Sequence, residues 1–477
     1  MHTDTKNEQQ YIKMTTTPVG RLISSLAIPT IISMLVTAVY NMADTYFVSQ
    51  IGTSAAGAVG IVFSLMALIQ AVGFALGMGA GSNISRLLGQ KNEERAQVLS
   101  ATAFYTSVFL GLLLTIFGLR YISGLMTALG ATPTILPYAI DYARYILMGA
   151  PIMCASYVLN NILRAEGKAT FSMIGISFGG ILNIVLDPIF IYGCDLGIAG
   201  AAIATVLSQL ISFLILLSCF LRKKTIIRLH IRKVATDAET YLLIIKTGLP
   251  SLFRQGLASI STVLLNVNAA AYGDAAVAAM SIVGKCFMLI FSSLIGFGQG
   301  FQPVVGYNYG AKKYGRVRES FRFSLTVGIC MLAVLSAVGF LLAPQIMMLF
   351  RSDDAAVIEI GAFALRCQCV SLVLLPISVM ANMLFQSIGK YWTATFLSSA
   401  RQGIFFLPLI LILPKYWQLT GVQMTQMLAD LLTVACCIPF LLRFFRDLKK
   451  LEEEQRQLGV PVNISKKFMQ KYVEMQR

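Results

Sequence analysis

Two pairs of side chains could do chemistry. Tyr40 and Asp44 stand four residues apart, and so do Asn183 and Asp187; in a helix that spacing puts each pair on one face, one turn apart. Both pairs lie in long apolar runs. Asp44 is the single carboxylate of residues 28–50, and Asp187 ends the string Ile-Leu-Asn-Ile-Val-Leu-Asp before Pro188. An acid near the middle of a membrane helix costs at least ~2.5 kcal/mol on insertion scales, so its default reading is functional, with a partner to be found. With the hydroxyl of Thr205 the set comprises two carboxylates, an amide, a phenol and a hydroxyl in a desolvated pocket, which suits a small cation. Two acids held together out of water favour taking up a proton, and the same oxygens could instead ligate a hard cation such as Na⁺. The competing reading is local: Asp187-Pro188 ends a helix and bonds nearby, since Asp before Pro often marks a turn.

The elements that must position these groups follow from composition. Of 477 residues, 56% are hydrophobic and 13% charged, with a mean hydropathy of +0.73; soluble proteins carry about a quarter charged residues. Apolar runs of membrane-crossing length fall near 22–48, 55–82, 97–119, 136–159, 169–193, 198–221, 242–270, 276–303, 319–342, 357–382, 393–413 and 418–443. The expected fold is an all-α polytopic membrane protein of twelve helices. The first and fifth helices then run outward, each Asp about five residues or ~7 Å from the outer end, and Thr205 on the sixth comes at a similar depth.

Charge sets the expected orientation. Alternate connections hold Arg86, Lys91 and Arg95; Arg164 and Lys168; the cluster from Arg222 to Lys233; Lys312, Lys313, Arg316 and Arg318; and Lys390, whereas the opposite set holds little beyond Arg120, Arg351 and Lys415. Both termini are therefore expected in the cytoplasm of a cell with this chain in its inner or plasma membrane. The net charge of +16 reads as topology and not as a nucleic-acid site, because the basic residues lie between apolar runs. The first twenty residues show no cleavable leader pattern, so the first helix is expected to be its own signal. The nine Cys residues, most of them inside apolar runs, read as small apolar fillers. His2 and His230 lie outside those runs, which leaves intramembrane proton chemistry to carboxylates.

The chain also repeats. A shift of 221 residues sets Pro29 on Pro250, Gly52 on Gly273, Gly77 on Gly298, Gly79 on Gly300, Gly89 on Gly310, Lys91 on Lys312 and Arg95 on Arg316; one residue of slippage later, Asn160 meets Asn382 and Gly167-Lys168 meets Gly389-Lys390. Six helices separate the copies, giving two six-helix lobes in parallel orientation about an axis along the membrane normal. The expected domains are an N-terminal segment 1–21, a first lobe 22–221, a basic linker 222–241, a second lobe 242–443 and a tail 444–477. Asp44 falls on Leu265 and Asp187 on Leu409, so the intramembrane acids are expected in the first lobe only.

Pro29 and Pro250 each remove a backbone hydrogen bond within the first helix of a lobe, which permits a bend and marks a hinge. Gly77, Gly79 and Gly81 read as close-packing positions. Arg254, Gln255 and Arg401 lie in apolar runs and are cavity candidates, and for the two Arg snorkelling to the cytoplasmic face is an equally good reading. Phe63, Met66, Phe178, Phe287 and Met288 are candidates for a promiscuous apolar cavity.

Four strings in this chain carry a resemblance: Asn-Met-Ala-Asp-Thr-Tyr-Phe-Val from Asn41, Gly-Met-Gly-Ala-Gly-Ser-Asn-Ile-Ser-Arg-Leu-Leu-Gly from Gly77, Asn-Ile-Leu-Arg-Ala-Glu-Gly-Lys-Ala-Thr from Asn161, and Leu-Asp-Pro-Ile-Phe-Ile from Leu186. They resemble the multidrug and toxic compound extrusion (MATE) family, most of all the MepA-like members of its DinF branch, from Pro29 to about Phe440. The resemblance implies a cation-coupled exporter with a V-shaped pair of lobes around a central cavity. The family's first-lobe cation site matches Tyr40, Asp44, Asn183, Asp187 and Thr205. The Glu that another branch carries two turns beyond Gly248-Leu249-Pro250 is replaced here by Ala258.

The leading expectation is a secondary antiporter, acting as a monomer, that exports amphipathic, often cationic drugs in exchange for H⁺ or Na⁺ and needs no cofactor. Membrane lipid is its surrounding partner. A flippase for a lipid-linked precursor is the alternative, and would favour several cationic residues around the cavity; Arg254 and Arg401 are the available ones. A membrane-embedded enzyme is not expected, because metal-binding and nucleophile motifs are missing from the sequence, as is a phosphate-binding loop.

Overall fold

The structure, a computed structural model, describes residues 2–350 and 354–457. Arg351 and the end of the tail beyond 457 lie outside the described residues. Nearly every described residue is helical, and among them there is no strand. After a leading helix, His2–Thr16, the first lobe comprises α1 (Val19–Ser49), α2 (Thr53–Gly89), α3 (Glu93–Arg120), α4 (Leu136–Ala165), α5 (Ala169–Pro188, continuing through a π turn Ile189–Gly193) and α6 (Gly197–Leu221). The second lobe comprises α7 (Ala238–Ala270), α8 (Asp274–Gly310), α9 (Tyr314–Leu341) and α10 (Ala355–Leu372 with Leu375–Ser387). It closes with α11 (Tyr391–Ser399, a π turn Ala400–Phe405, then 406–417) and α12 (419–457), which meet at Gln418, where φ is +49°.

Ten stretches of the described residues are long and apolar enough to cross a membrane. The stretch Tyr391–Gln455 holds both α11 and α12. The remaining span is α7, whose apolar run is diluted by Lys246, Arg254, Gln255, Asn266 and Asn268. Twelve spans in two lobes result, as the sequence predicts.

The repeat is visible in backbone geometry. Lys91 and Lys312 follow α2 and α8 at φ +59° and +58°, and Gly167 and Gly389 follow α4 and α10 at +78° and +86°. Asn160 donates to Ser172 at 2.5 Å and ties α4 to α5; Asn382 donates to Ser398 at 2.7 Å and ties α10 to α11.

The lobes join at the end that carries the basic connections, by contacts made twice. A methyl added to Gly89 would lie 2.2 Å from the Tyr307 carbonyl oxygen, and one added to Gly310 would lie 2.1 Å from that of Arg86; Tyr307 is the repeat counterpart of Arg86. Ten residues inward, Gly79 abuts Ile244 and Gly248, and Gly300 abuts Ala27, the repeat counterpart of Gly248. Only a residue without a side chain lets these backbones approach so closely. Thr30 on α1 adds a 2.6 Å hydrogen bond to the Gly296 carbonyl on α8, and Asn83 on α2 bonds Thr247 on α7 at 3.0 Å.

The leading helix spans the joint: Gln10 bonds the Glu166 carbonyl of the first lobe at 2.7 Å, while Asn308 and Lys313 of the second reach the carbonyls of Met14 and Thr15 at 3.1 and 3.0 Å.

Candidate functional site

The first-lobe cluster is assembled by four helices. α5 does not stop at Asp187-Pro188; it runs through the proline into its π turn, and Asp187 is fully buried. The acid therefore does not mark a helix end, although its hydrogen bond, from Asn183, is local. Asn183, one turn earlier, donates to Asp187 Oδ1 at 3.0 Å and lies 3.3 Å from Thr205 Oγ1 on α6. α1 approaches α5 at Gly180, where an added methyl would meet the Tyr40 ring at 3.0 Å, and this approach brings Asp44 within electrostatic reach of Asp187.

A further member, Tyr142 on α4, is absent from the sequence reading. Wholly buried, it points its hydroxyl to Asp44 Oδ2 at 3.4 Å and lies beside Thr205. Its spacing from the other members gave no signal, and among Tyr138, Asp141, Arg144 and Tyr145 nothing singled it out.

The chemistry of the cluster is one-sided. Asp44 Oδ1, Asp187 Oδ2 and Asn183 Oδ1 are buried, and none has a hydrogen-bond donor among the described residues. All three are acceptors, and buried polar groups ordinarily have partners. What completes them is a donor or a positive charge, so a proton on either carboxyl or a small oxygen-preferring cation fits the residues present.

Between the lobes lies a cavity of about 370 Å³, within the range of small-molecule sites. Phe63, Arg254, Gln255, Met288 and Arg401 line it, together with Tyr40, Gln70, Phe74, Tyr157 and Phe291. Met66 instead packs within the first-lobe core. Phe178 is half exposed on the outside of α5, and Phe287 stands behind the wall, stacked on Phe291 with ring centroids 5.4 Å apart. An apolar sequence pattern has no means of separating these positions, because lipid, core and cavity all accept Phe and Met. Gln70 donates to the Tyr157 hydroxyl at 2.7 Å and accepts from Gln255 at 3.4 Å, so a polar bridge crosses the cavity between lobes. Tyr40 belongs to the cavity wall and to the acid cluster.

The expectation that intramembrane acids are confined to the first lobe is corrected by Asp430 on α12. This carboxylate is buried, with 1% side-chain exposure, and accepts from Arg401 Nε at 2.7 Å and Gln426 at 2.8 Å; the Ser371 hydroxyl approaches its other oxygen at 3.3 Å. Arg401 consequently does not snorkel. Its guanidinium is held in the lobe by Asp430 and stacks over Phe291 and Phe287, 4.8 and 5.2 Å from their centroids. The sequence signal was available, an acid 29 positions from an Arg in the neighbouring apolar run.

The family model MatE matches residues 29–189 and again residues 250–412. The chain belongs to the MatE family. The two matches begin 221 residues apart, at Pro29 and Pro250, the offset of the internal repeat. The multidrug export protein MepA of Staphylococcus aureus is 28% identical over 442 residues, covering 92% of this chain and 97% of that protein. An outward-facing multidrug resistance MATE transporter of the MOP superfamily is 30% identical with a TM-score of 0.87, covering 92% of this chain and 98% of that one. A MATE protein solved in a straight conformation matches at 30% identity and a TM-score of 0.87, covering 92% and 99%. As a MatE protein, the chain is a multi-pass membrane transporter of small molecules and not an enzyme.

Proposed function

We propose that this MatE protein is a secondary multidrug antiporter of the cell membrane, exporting amphipathic small molecules against an inward flow of H⁺ or Na⁺. The observation that carries the reading is the set of buried oxygens on Asp44, Asp187 and Asn183 without donors, one phenol away from the cavity. An entering cation satisfies those acceptors, and Tyr40 then transmits the change to the cavity wall. Pro29, within α1 between the lobe joint and the cluster, is the hinge on this reading, with Pro250 its counterpart in α7. Differential binding of ion and drug to two lobe arrangements supplies the coupling.

Positive-inside charge supports a cytoplasmic location for both termini and for the linker 222–241 between lobes 22–221 and 242–443. The glycine-rich joint then closes the cytoplasmic side, an outward-facing arrangement, and a single chain contains both lobes, which supports action as a monomer.

Dye export from proteoliposomes tests the proposal. Varying Na⁺ at fixed pH, then pH without Na⁺, identifies the driving ion. Wild-type export should follow one gradient and Asp44→Asn should lose it; an Asp44→Asn protein that still exports against its substrate gradient would sink the mechanism.

A further inference from the structure

The second-lobe side of the cavity carries more positive charge than its surroundings neutralise. No carboxylate lines the cavity among the described residues, while Arg254 and Arg401 both do. Arg254 on α7 makes neither a hydrogen bond nor an ion pair with any described residue. Arg401 is satisfied only in part: Nε bonds Asp430, whereas Nη2 is buried without a hydrogen-bond partner in a residue 9% exposed. Arg164, just below the cavity and within electrostatic reach of Arg254, bonds only the neutral side chains of Gln299 and Asn161. Three guanidiniums therefore share one carboxylate.

A guanidinium in a low-dielectric wall needs an acceptor to complete its donors, and the planar fork of Arg matches carboxylate and phosphate oxygens. Arg401 and Gln402 stand on the π turn of α11, an irregularity that recurs at functional sites. Beside the charges, Phe63, Phe74, Phe291 and Met288 supply an apolar surface.

We propose that Arg254 and Arg401 form an acid-binding subsite, so that the cavity prefers amphipathic molecules bearing a carboxylate, whether anionic or zwitterionic, over simple organic cations. The inference rests on the cavity being the transport site. Asp430 fixes Arg401 from behind through Nε and leaves the part of the guanidinium that lines the cavity for the substrate's acid group, while Arg254 meets that group from the neighbouring helix. The rest of the molecule spreads over the aromatic wall.

Binding of a matched dye pair to the full-length protein in phosphatidylcholine nanodiscs tests this at constant salt without any gradient. Rhodamine B carries a free carboxylate and its ethyl ester does not. Wild type should bind the acid about ten- to a hundredfold more tightly, the scale of a hydrogen bond to a charged partner. Arg254→Gln should lose that preference through weaker binding of the acid and should bind the cationic ester no more weakly than wild type, which reports an intact cavity. The double variant Arg401→Gln with Asp430→Asn should lose it too without stranding a buried charge. Equal or tighter binding of the ester by wild type, or an acid preference undiminished in Arg254→Gln, overturns the proposal. So does loss of the acid preference on adding a small fraction of phosphatidylglycerol, which would assign the subsite to a lipid headgroup. Gradient-driven export of the ester with no acid preference in binding would leave the transporter reading standing and the subsite refuted; an acid preference with neither dye exported would do the reverse.

Discussion

The Asn183 amide donates to the Asp187 carboxylate at 3.0 Å, one turn along the same helix, and leaves the second carboxylate oxygen buried without a donor. The amide orients the acid while keeping its other oxygen for an incoming ion. Asn183→Ala removes a neutral donor to a charged group, an interaction worth about 1.5–3 kcal/mol. Where Na⁺ is the driving ion, the substitution also removes the Asn183 Oδ1 acceptor, and the Na⁺ concentration giving half-maximal export should rise about tenfold or more, with dye affinity in the absence of a gradient little changed.

Tyr142 acts more weakly. Its 3.4 Å approach to Asp44 is long for a hydroxyl donor. Tyr142→Phe keeps the ring and should shift half-maximal ion dependence by no more than about tenfold, the effect of about 1 kcal/mol. A complete loss of export in this variant would give the phenol an obligatory role that its geometry does not support.

The pair Arg401 and Asp430 makes a prediction about stability. Each single neutral variant, Arg401→Gln or Asp430→Asn, strands a buried charge, and breaking such a pair costs about 3–5 kcal/mol. The double variant strands none. Thermal unfolding in detergent should place both single variants well below wild type and the double variant close to it; equal destabilisation in all three would mean that the pair is not coupled.

Glu166 holds the connection between the lobes. Fully buried, it accepts the backbone N–H groups of Ile226 and Ile227 at 3.0 Å each and the Lys168 ammonium at 2.9 Å. Glu166→Ala frees two backbone donors and the segment they hold, so trypsin should cut after Arg222, Lys223 or Lys224 about tenfold faster than in wild type, in line with ~1.5 kcal/mol of lost local protection.

Much of this organisation was legible in the residues, for identifiable reasons. An isolated acid in an apolar run is conspicuous because membrane burial penalises it, so Asp44 and Asp187 declared themselves, and a four-residue spacing delivered Tyr40 and Asn183. The glycines aligned under a 221-residue shift because backbone approach tolerates nothing larger. Asp430 was as conspicuous chemically but lay in the last apolar run, where no repeat partner drew attention to it. Tyr142 was hidden because it is one of three Tyr within eight residues, Tyr138, Tyr142 and Tyr145, and nothing distinguishes it until another helix brings a carboxylate to it. Met66, Phe178 and Phe287 show the limit: for an apolar residue, which way it faces depends on helix rotation, and rotation is set by packing between helices distant in sequence.

The reciprocal contacts of Gly89 with Tyr307 and of Gly310 with Arg86 are those of an isologous interface, the kind two identical six-helix chains form about a two-fold axis. In such a dimer every substitution is made twice, so an acid cluster in one half obliges one in the other. Joining the halves by a peptide linker removes that obligation. The first copy can then keep carboxylates at 44 and 187 while the second carries Leu265 and Leu409, and division of labour between lobes becomes open to single substitutions without loss of the shared joint.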